Sequence, residues 1–332
     1  MTSLAEFTTL RIGGVPNSLT VATSESEIVQ SVLAADASGR DLLVIGKGSN
    51  LVISDGFTGD VLVIATKGIE NDSSACAGAW VTVQAGETLD DFVDLACASG
   101  WSGVESLSGI PGTVGATPLQ NVGAYGQQVS DTIAQVRALN RKTKNIETLF
   151  VADCAFGYRT SKFKQHPDNW IILSVTFQLP LATLSSPIAY QELATKLGVN
   201  LGDRVALTDA RNAVLKLREA KGMVLNEDDK DTWSTGSFFT NPVVDSAPAG
   251  APTWPASDGK VKISAAWLIE QSGLAKGFGL NERVTISTKH SLAITNRGTG
   301  TSADVLELAN YIQETVLAKF GIALEIEPQV IR

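Results

Sequence analysis

Histidine, cysteine and basic residues are all scarce in this chain. Two histidines in 332 residues, His166 and His290, exclude a histidine-rich metal site, and no metal is expected at the reacting centre. The three cysteines, Cys76, Cys97 and Cys154, cannot all pair and lack metal-ligand spacing. They read as small buried side chains in a reducing cytoplasm. Lys plus Arg number 26 against 35 Asp plus Glu, a net charge of −9, so nucleic acid is not an expected partner. An anionic small molecule remains open, because it needs only a local basic pocket. No run approaches the ~20 apolar residues of a membrane span, so no membrane contact is expected. The start, MTSLAEFTTLRIGG, has no charged segment followed by an apolar core, and no secretory signal is read there.

With 44% hydrophobic residues, the chain can bury a large core in two or three domains. Its organising stretch is LSGIPGTVGATPLQNVGAYG, residues 107–126, with five glycines and two prolines. Such a run holds neither a helix nor a central strand. It is either a plain surface loop or a backbone brought close to a ligand, with Ser108, Thr113, Gln120 and Asn121 suited to hydrogen bonding a flat polar molecule.

Around it, periodicity supplies the frame. Ser24 and Glu27 form a capping-box pair for a helix ending near Gly39. DLLVIG (41–46) and VLVIAT (61–66) read as strands, with LVI (51–53) continuing a small α/β unit. Between them, Gly46-Lys47-Gly48 matches the first two glycines of a dinucleotide fingerprint, but Leu51 stands at the third and no helix begins there. What survives is a nest of N–H groups beside Ser49 and Asn50, able to hold phosphate. Alternation at 79–85 reads as a strand, and Thr88 caps a helix through Leu89, Phe92, Val93 and Ala96. Strands follow at 133–140, 146–150 and 172–179. A helix runs from Thr208 to the Lys221–Gly222 pair, short strands lie at 284–287 and 292–295, and a last helix is capped by Thr301 and Asp304. Many strands and few helices make the class α+β.

Three constellations could carry chemistry. In an extended chain Arg159 and Ser161 share a face, with Lys164 near, and a guanidinium beside a hydroxyl suits a carboxylate or enolate oxygen. Ser237, in GSFFTNP, has no histidine in triad order; it is a strand-ending serine or a local proton donor. Glu325 and Glu327, two apart in LEIEP, would point to one face of a strand.

Five motifs in this order resemble the UDP-N-acetylenolpyruvoylglucosamine reductase family: GKGSNLVI (46–53), SGIPGTVGATPLQNVGAYG (108–126), GYRTSKFK (157–164), GSFFTNP (236–242) and LEIEPQV (324–330). YQEL (190–193) and KLREAKGMVL (216–225) resemble the longer form, which keeps a substrate-gating tyrosine segment. The resemblance implies an FAD-binding fold of the vanillyl-alcohol-oxidase (PCMH) type with an additional α+β substrate-binding domain. It implies FAD-binding subdomains at 1–68 and 69–207, a substrate-binding domain at 208–320, and a C-terminal strand at 321–332 returning to the active-site region.

The implied reaction is NADPH-driven, FAD-dependent reduction of the enolpyruvyl group of UDP-N-acetylglucosamine enolpyruvate to UDP-N-acetylmuramate, in a cytoplasmic monomer. Arg159 and Glu327 would polarise the substrate carboxylate, and Ser237 would protonate C2. Non-covalent FAD would lie along Gly46, Lys47, Gly48, Ser49 and Asn50, then along Ser108, Gly109, Ile110, Pro111, Gly112, Thr113, Gly115 and Ala116. Its isoalloxazine would sit near Asn121, Gly123, Ala124 and Tyr125. Tyr125, Tyr158, Arg159, Tyr190, Lys221 and Asn241 would hold the UDP-sugar. Thr240 stands where the family more often has lysine, and His290 where the longer form often has glutamine. Glu327 is preferred to Glu325 by counting back from Val330. A different FAD enzyme of this fold would need a base near the flavin, and a flavin-free nucleotide-sugar binder would not need Ser237 and Arg159.

Overall fold

The computed structural model describes residues 2–74 and 78–332, so Cys76 lies outside the described residues. By packing, the chain divides into a larger unit, Asn17–Lys47 with Gly59–Glu219, and a smaller one, Met1–Pro16 with Gly48–Thr58 and Ala220–Arg332. The boundaries 68, 207 and 320 cut across these units. Helix Leu207–Ala220 stays with the larger unit because Ala213 and Val214 pack with Ile188, Leu193 and Ala194, and Leu207 joins that unit's main core.

Among its described residues the larger unit holds two main sheets and a short two-stranded pair, Gly123–Ala124 with Gln127–Gln128. In a parallel one, Asp60–Ile64 lies between Ser18–Ala22 and Leu42–Ile45. Helix Glu25–Ser38 covers it with Ile28 and Val32, its capping box closed by Ser24 and Glu27 and its end set by left-handed Gly39. The other sheet is antiparallel, in the order Asn145–Phe150, Ile133–Asn140, Trp170–Leu179, Gly78–Gln84, Ile69–Ser74. Alternate residues Ala79, Val81 and Val83 are buried in one cluster with Phe92, Val93 and Ala96 of helix Leu89–Ala98, which the period-2 and period-3.6 patterns anticipate. Thr88 precedes that helix but makes no side-chain cap; its hydroxyl instead takes a hydrogen bond from Lys47 Nζ at 2.8 Å. A helix that periodicity missed, Gln191–Leu197, starts directly after Tyr190.

In the smaller unit, helix Ser302–Phe320 is the spine. Val305, Leu308, Ala309, Ile312 and Val316 are buried with Phe238, Phe239, Leu268 and Ile286, and Thr301 and Asp304 close its capping box. Strands Val284–Ile286 and Ile294–Asn296 pair antiparallel. Leu51–Ile53 does not continue the parallel sheet, as its sequence suggests; it pairs in parallel with Gln329–Ile331. Cys97 and Cys154 are buried free thiols whose pKa values burial pushes up to about 12 and about 11. Among the described residues no helix is long and apolar enough to cross a membrane.

Candidate active site

The stretch 107–126 is no surface loop. Leu107, Ser108, Thr113, Val114, Thr117 and Asn121 are all buried. Burying so much irregular backbone requires partners for its amides, and the larger unit supplies them one by one. Gly109 N–H donates to Asp90 Oδ1 (2.7 Å), Val114 N–H to the Glu87 carbonyl (2.8 Å) and Gly115 N–H to the Ala85 carbonyl (2.9 Å). Ile110 packs against the main core, while Pro111 and Ala116 are half-buried. Gly112 and Thr113 are buried too, yet among the described residues neither amide donates a hydrogen bond.

Two side chains expected to face a ligand are instead engaged inward. Ser108 Oγ donates to the Glu105 carbonyl at 2.6 Å. Asn121 donates through Nδ2 to the Gly157 carbonyl (3.2 Å) and accepts from Ser130 N–H through Oδ1 (3.1 Å). Asn121 thereby ties the loop to the turn that carries Arg159.

That turn is not the extended segment its sequence suggests. Gly157 and Thr160 bridge each other, and Arg159 at the turn has a left-handed φ of 53°. Ser161 then caps helix Lys162–Gln165, accepting from Lys164 N–H, and donates to the Leu119 carbonyl (2.6 Å). Its hydroxyl is spent on structure, so Arg159 and Ser161 do not act as a pair. Arg159 Nη2 reaches the Gly123 carbonyl at 3.0 Å. Gly123 and Ala124 pair with Gln128 and Gln127, and Tyr125 (φ 48°) and Gly126 (φ 87°) make the turn between them. Positive φ at Asn121, Tyr125 and Arg159 is uncommon for such residues and gathers at this one place.

Tyr125 meets Tyr190 edge to face, ring centroids 5.5 Å apart, and burial raises both phenol pKa values, Tyr125 to about 12. Arg218, on helix Leu207–Ala220, joins this group. Burial pushes its pKa down to about 10; Tyr125 opposes that and the Arg159 charge adds to it. The family resemblance points to Lys221 in KLREAKG, whereas Arg218 lies three residues earlier, on the helix. Tyr158 is exposed, with the Arg159 guanidinium 5.9 Å from its ring centre.

In the smaller unit, Ser237 is half-buried on a segment held from two sides. Phe238 N–H donates to the Leu292 carbonyl (2.7 Å), Glu327 N–H to the Phe238 carbonyl (2.9 Å) and Thr240 N–H to the Glu325 carbonyl (3.0 Å). Phe239 and Ile326 form the bridge between, so Glu327 stands opposite the residue after Ser237. Glu325 is exposed and Glu327 half-buried, which separates two glutamates the sequence put on one face. Asn241 Oδ1 accepts the Ala265 N–H (2.9 Å) at the start of helix Ala265–Gln271, and Lys221 is half-buried. Gly48, Ser49 and Asn50 also belong to this unit. Gly48 has φ 55°, and a Cβ there would lie 2.3 Å from the Phe7 carbonyl oxygen.

Residues 228–331 match the sequence model of the UDP-N-acetylenolpyruvoylglucosamine reductase C-terminal domain, and residues 16–148 that of an FAD binding domain. A UDP-N-acetylenolpyruvoylglucosamine reductase of Cutibacterium acnes is 49% identical over 333 residues, covering 99% of this chain and 89% of the relative. The chain belongs to the UDP-N-acetylenolpyruvoylglucosamine reductase family. The reductase of Salinispora arenicola is 47% identical over 99% of this chain and 94% of its own. The crystal structure of UDP-N-acetylenolpyruvylglucosamine reductase (MurB) from Thermus caldophilus is similar at a TM-score of 0.69 and 25% identity, over 100% of this chain and 98% of that one. The fold is therefore the PCMH-type FAD-binding fold with an additional substrate-binding domain, as the motifs imply. The activity is the flavin-dependent reduction of enolpyruvyl-UDP-N-acetylglucosamine to UDP-N-acetylmuramate.

The residues present fit a flavin dinucleotide. A Cβ on Gly46 would lie 2.4 Å from Thr113 Oγ1 and one on Gly115 2.5 Å from Ala85 Cβ, so the glycines draw backbone together where side chains would hold it apart. Among the described residues the amides of buried Gly112 and Thr113 donate to nothing, which is compatible with donors for a pyrophosphate.

Proposed function

We propose that NADPH provides the reducing equivalents, and that Arg159, Ser237 and Glu327 divide the remaining chemistry of the enolpyruvyl group. A bound flavin would supply the hydride transfer, which no side chain can do. The product also gains a proton at C2, and that proton is for the protein to give. Ser237 donates it, and solvent restores the serine hydroxyl. The guanidinium of Arg159 draws negative charge onto the substrate carboxylate as electron density builds at C2. Glu327 adds a hydrogen bond to the same group, for which its carboxyl must carry the proton.

Backbone amides of Gly46, Lys47, Gly48, Ser49 and Asn50 and of the 107–126 stretch hold the FAD phosphates without a covalent link. Tyr125, Tyr158, Tyr190, Lys221 and Asn241 hold the UDP-sugar, and Arg218 supports its anionic part from beside Tyr125. The protein works as a monomer in the cytoplasm. The observation that carries the assignment is the pairing of Glu327 N–H with the Phe238 carbonyl, which joins the serine's segment to the carboxyl's from opposite ends of the stretch Ala220–Arg332.

Ser237→Ala tests it. Removing a positioned acid costs ~10²–10⁴-fold in rate. The variant is expected to bind FAD, to bleach its flavin absorbance with NADPH at the wild-type rate, and to recover that absorbance slowly when substrate is added. Recovery at the wild-type rate removes Ser237 as the acid; collapse of the NADPH step makes the serine part of the flavin pocket instead.

A further inference from the structure

Thr9 touches both loops of the smaller unit that the proposed chemistry depends on. It is buried, with 4% of its surface exposed. Its N–H donates to the Gly48 carbonyl at 3.4 Å, and its hydroxyl donates to the Ser234 carbonyl at 2.7 Å, across 225 residues of sequence. Gly48 sits in the glycine turn and Ser234 is three residues before Ser237. We infer that Thr9 is a positioning residue which sets the place of the Ser237 segment against the Gly48 turn. The inference rests on the reading of Ser237 as the proton donor.

The surroundings make Thr9 a fixed point. Thr8 Oγ1 donates to the Ile12 carbonyl (3.0 Å) and accepts the Ile12 N–H (3.2 Å), closing residues 8–12 into a turn. Asn296 Nδ2 donates to the carbonyls of Leu10 and Arg11, both at 3.1 Å, and the Arg11 guanidinium lies 5.3 Å from the Trp233 ring centre. Leu10 and Ile12 are buried in the core. On its other side the turn abuts Gly48, where a Cβ would come within 2.9 Å of Thr8 Cα. A displacement of either partner is therefore passed on rather than absorbed.

The serine's segment is softer. Asn296 N–H donates to the Trp233 carbonyl (3.0 Å) and Phe238 N–H to the Leu292 carbonyl (2.7 Å), but between them Gly236 has φ 77° and the enclosed Thr235 Oγ1 has no hydrogen-bond partner among the described residues. At Ser234, only 4% exposed, the span bridges Thr295, and the Thr9 hydroxyl adds the side-chain hydrogen bond to the Ser234 carbonyl. Losing it leaves a buried carbonyl without that donor and frees the serine to shift.

Thr9→Val keeps the shape and removes the donor; Thr9→Ser keeps the donor. In FAD-loaded protein, Thr9→Val is expected to slow substrate-driven recovery of flavin absorbance ~10–100-fold, the scale set by a misplacement of about 1 Å. NADPH-driven bleaching, the Kd of FAD for the apoprotein, and all properties of Thr9→Ser are expected within about 3-fold of wild type, since neither flavin binding nor its reduction needs the proton donor. Recovery of Thr9→Val within that margin overturns the inference. So does a Thr9→Ser variant as slow as Thr9→Val, which would mean packing rather than the hydroxyl, or a parallel loss of FAD affinity, which would place the effect at Gly48. If Thr9→Val does not fold, Thr9→Ala, which also lacks the donor, replaces it, and an undiminished rate overturns the inference. Ser237→Ala alongside separates the failures. If it recovers at the wild-type rate, the proton-donor reading falls; if it is slow while Thr9→Val is not, only the role of Thr9 falls.

Discussion

Glu327 lies across from Phe238, its N–H donating to the Phe238 carbonyl at 2.9 Å, while Glu325, two residues earlier, is exposed. Of the two glutamates only Glu327 is half-buried, and it is the one opposite the residue after Ser237. Glu327→Ala, which removes the hydrogen-bond donor, is expected to lower kcat by at least ~10²-fold with a smaller change in the KM for the enolpyruvyl substrate. Glu325→Gln should leave both constants within about 2-fold, as surface changes usually do. Steady-state kinetics on the two variants decide the matter, and equal losses would contradict the assignment.

The Gly46–Thr113 contact gives a prediction about cofactor retention. A Cβ on Gly46 would meet Thr113 Oγ1 at 2.4 Å and Cγ2 at 3.0 Å, so Gly46→Ala must push the glycine turn and the buried loop apart. Overpacking of this kind costs about 1–3 kcal/mol. Expressed at the cofactor site, that lowers FAD affinity by ~5–150-fold. Fluorescence titration of the apoprotein measures it. Gly46→Ala with Thr113→Ala should regain most of the loss; no regain would mean that the clash is not the cause.

Asp90 links the same loop to the helix of Arg218. Its carboxylate accepts from Gly109 N–H (2.7 Å) and from Arg211 Nη1 (2.6 Å). Burial favours the neutral acid, but hydrogen bonds from Arg211 and Gly109 outweigh it and hold the pKa below the usual carboxylate range. A carboxyl whose folded-state pKa is depressed stabilises the fold fully above its unfolded value, about 3.9, and loses that contribution as pH falls through the lower folded value. Asp90→Asn is therefore expected to destabilise the protein by about 1–2 kcal/mol at pH 7. The gap from wild type should narrow below about pH 4. Thermal melts at pH 7 and pH 3 check this, and a gap that widens in acid would refute it.

Arg283 and Asp304 offer the same test on the smaller unit. Hydrogen bonds from Arg283 and from the Thr301 hydroxyl and N–H push the Asp304 pKa far below the carboxylate range while capping helix Ser302–Phe320. Asp304→Ala is expected to cost about 1 kcal/mol at neutral pH, the usual worth of a cap, and less in acid as the wild-type carboxyl protonates. Chemical denaturation at the two pH values measures both terms.

What the sequence alone determined is what local physics writes within a few residues. Ser24 with Glu27 and Thr301 with Asp304 announce their helices because a cap bonds its own first turn. The spacing of Leu89, Phe92, Val93 and Ala96 names a buried face, and the glycines of residues 107–126 announce backbone held close to something. The order of five motifs carried the family and, with it, the fold and the reaction.

Only the tertiary structure decided which polar groups remain available. Ser108, Asn121 and Ser161 look like ligand-binding side chains in sequence, and each is consumed by a carbonyl or amide that the fold brings to it. Arg159 turns through a left-handed conformation because Gly157 and Thr160 close on each other, which no alternation pattern reveals. Leu51–Ile53 reads as the next strand of its neighbours' sheet, yet it pairs with Gln329–Ile331. Thr9 and Ser234 meet across most of the chain. Such partners are chosen by packing between distant segments, where burial and the need to satisfy every enclosed donor outweigh any preference that neighbouring residues can express.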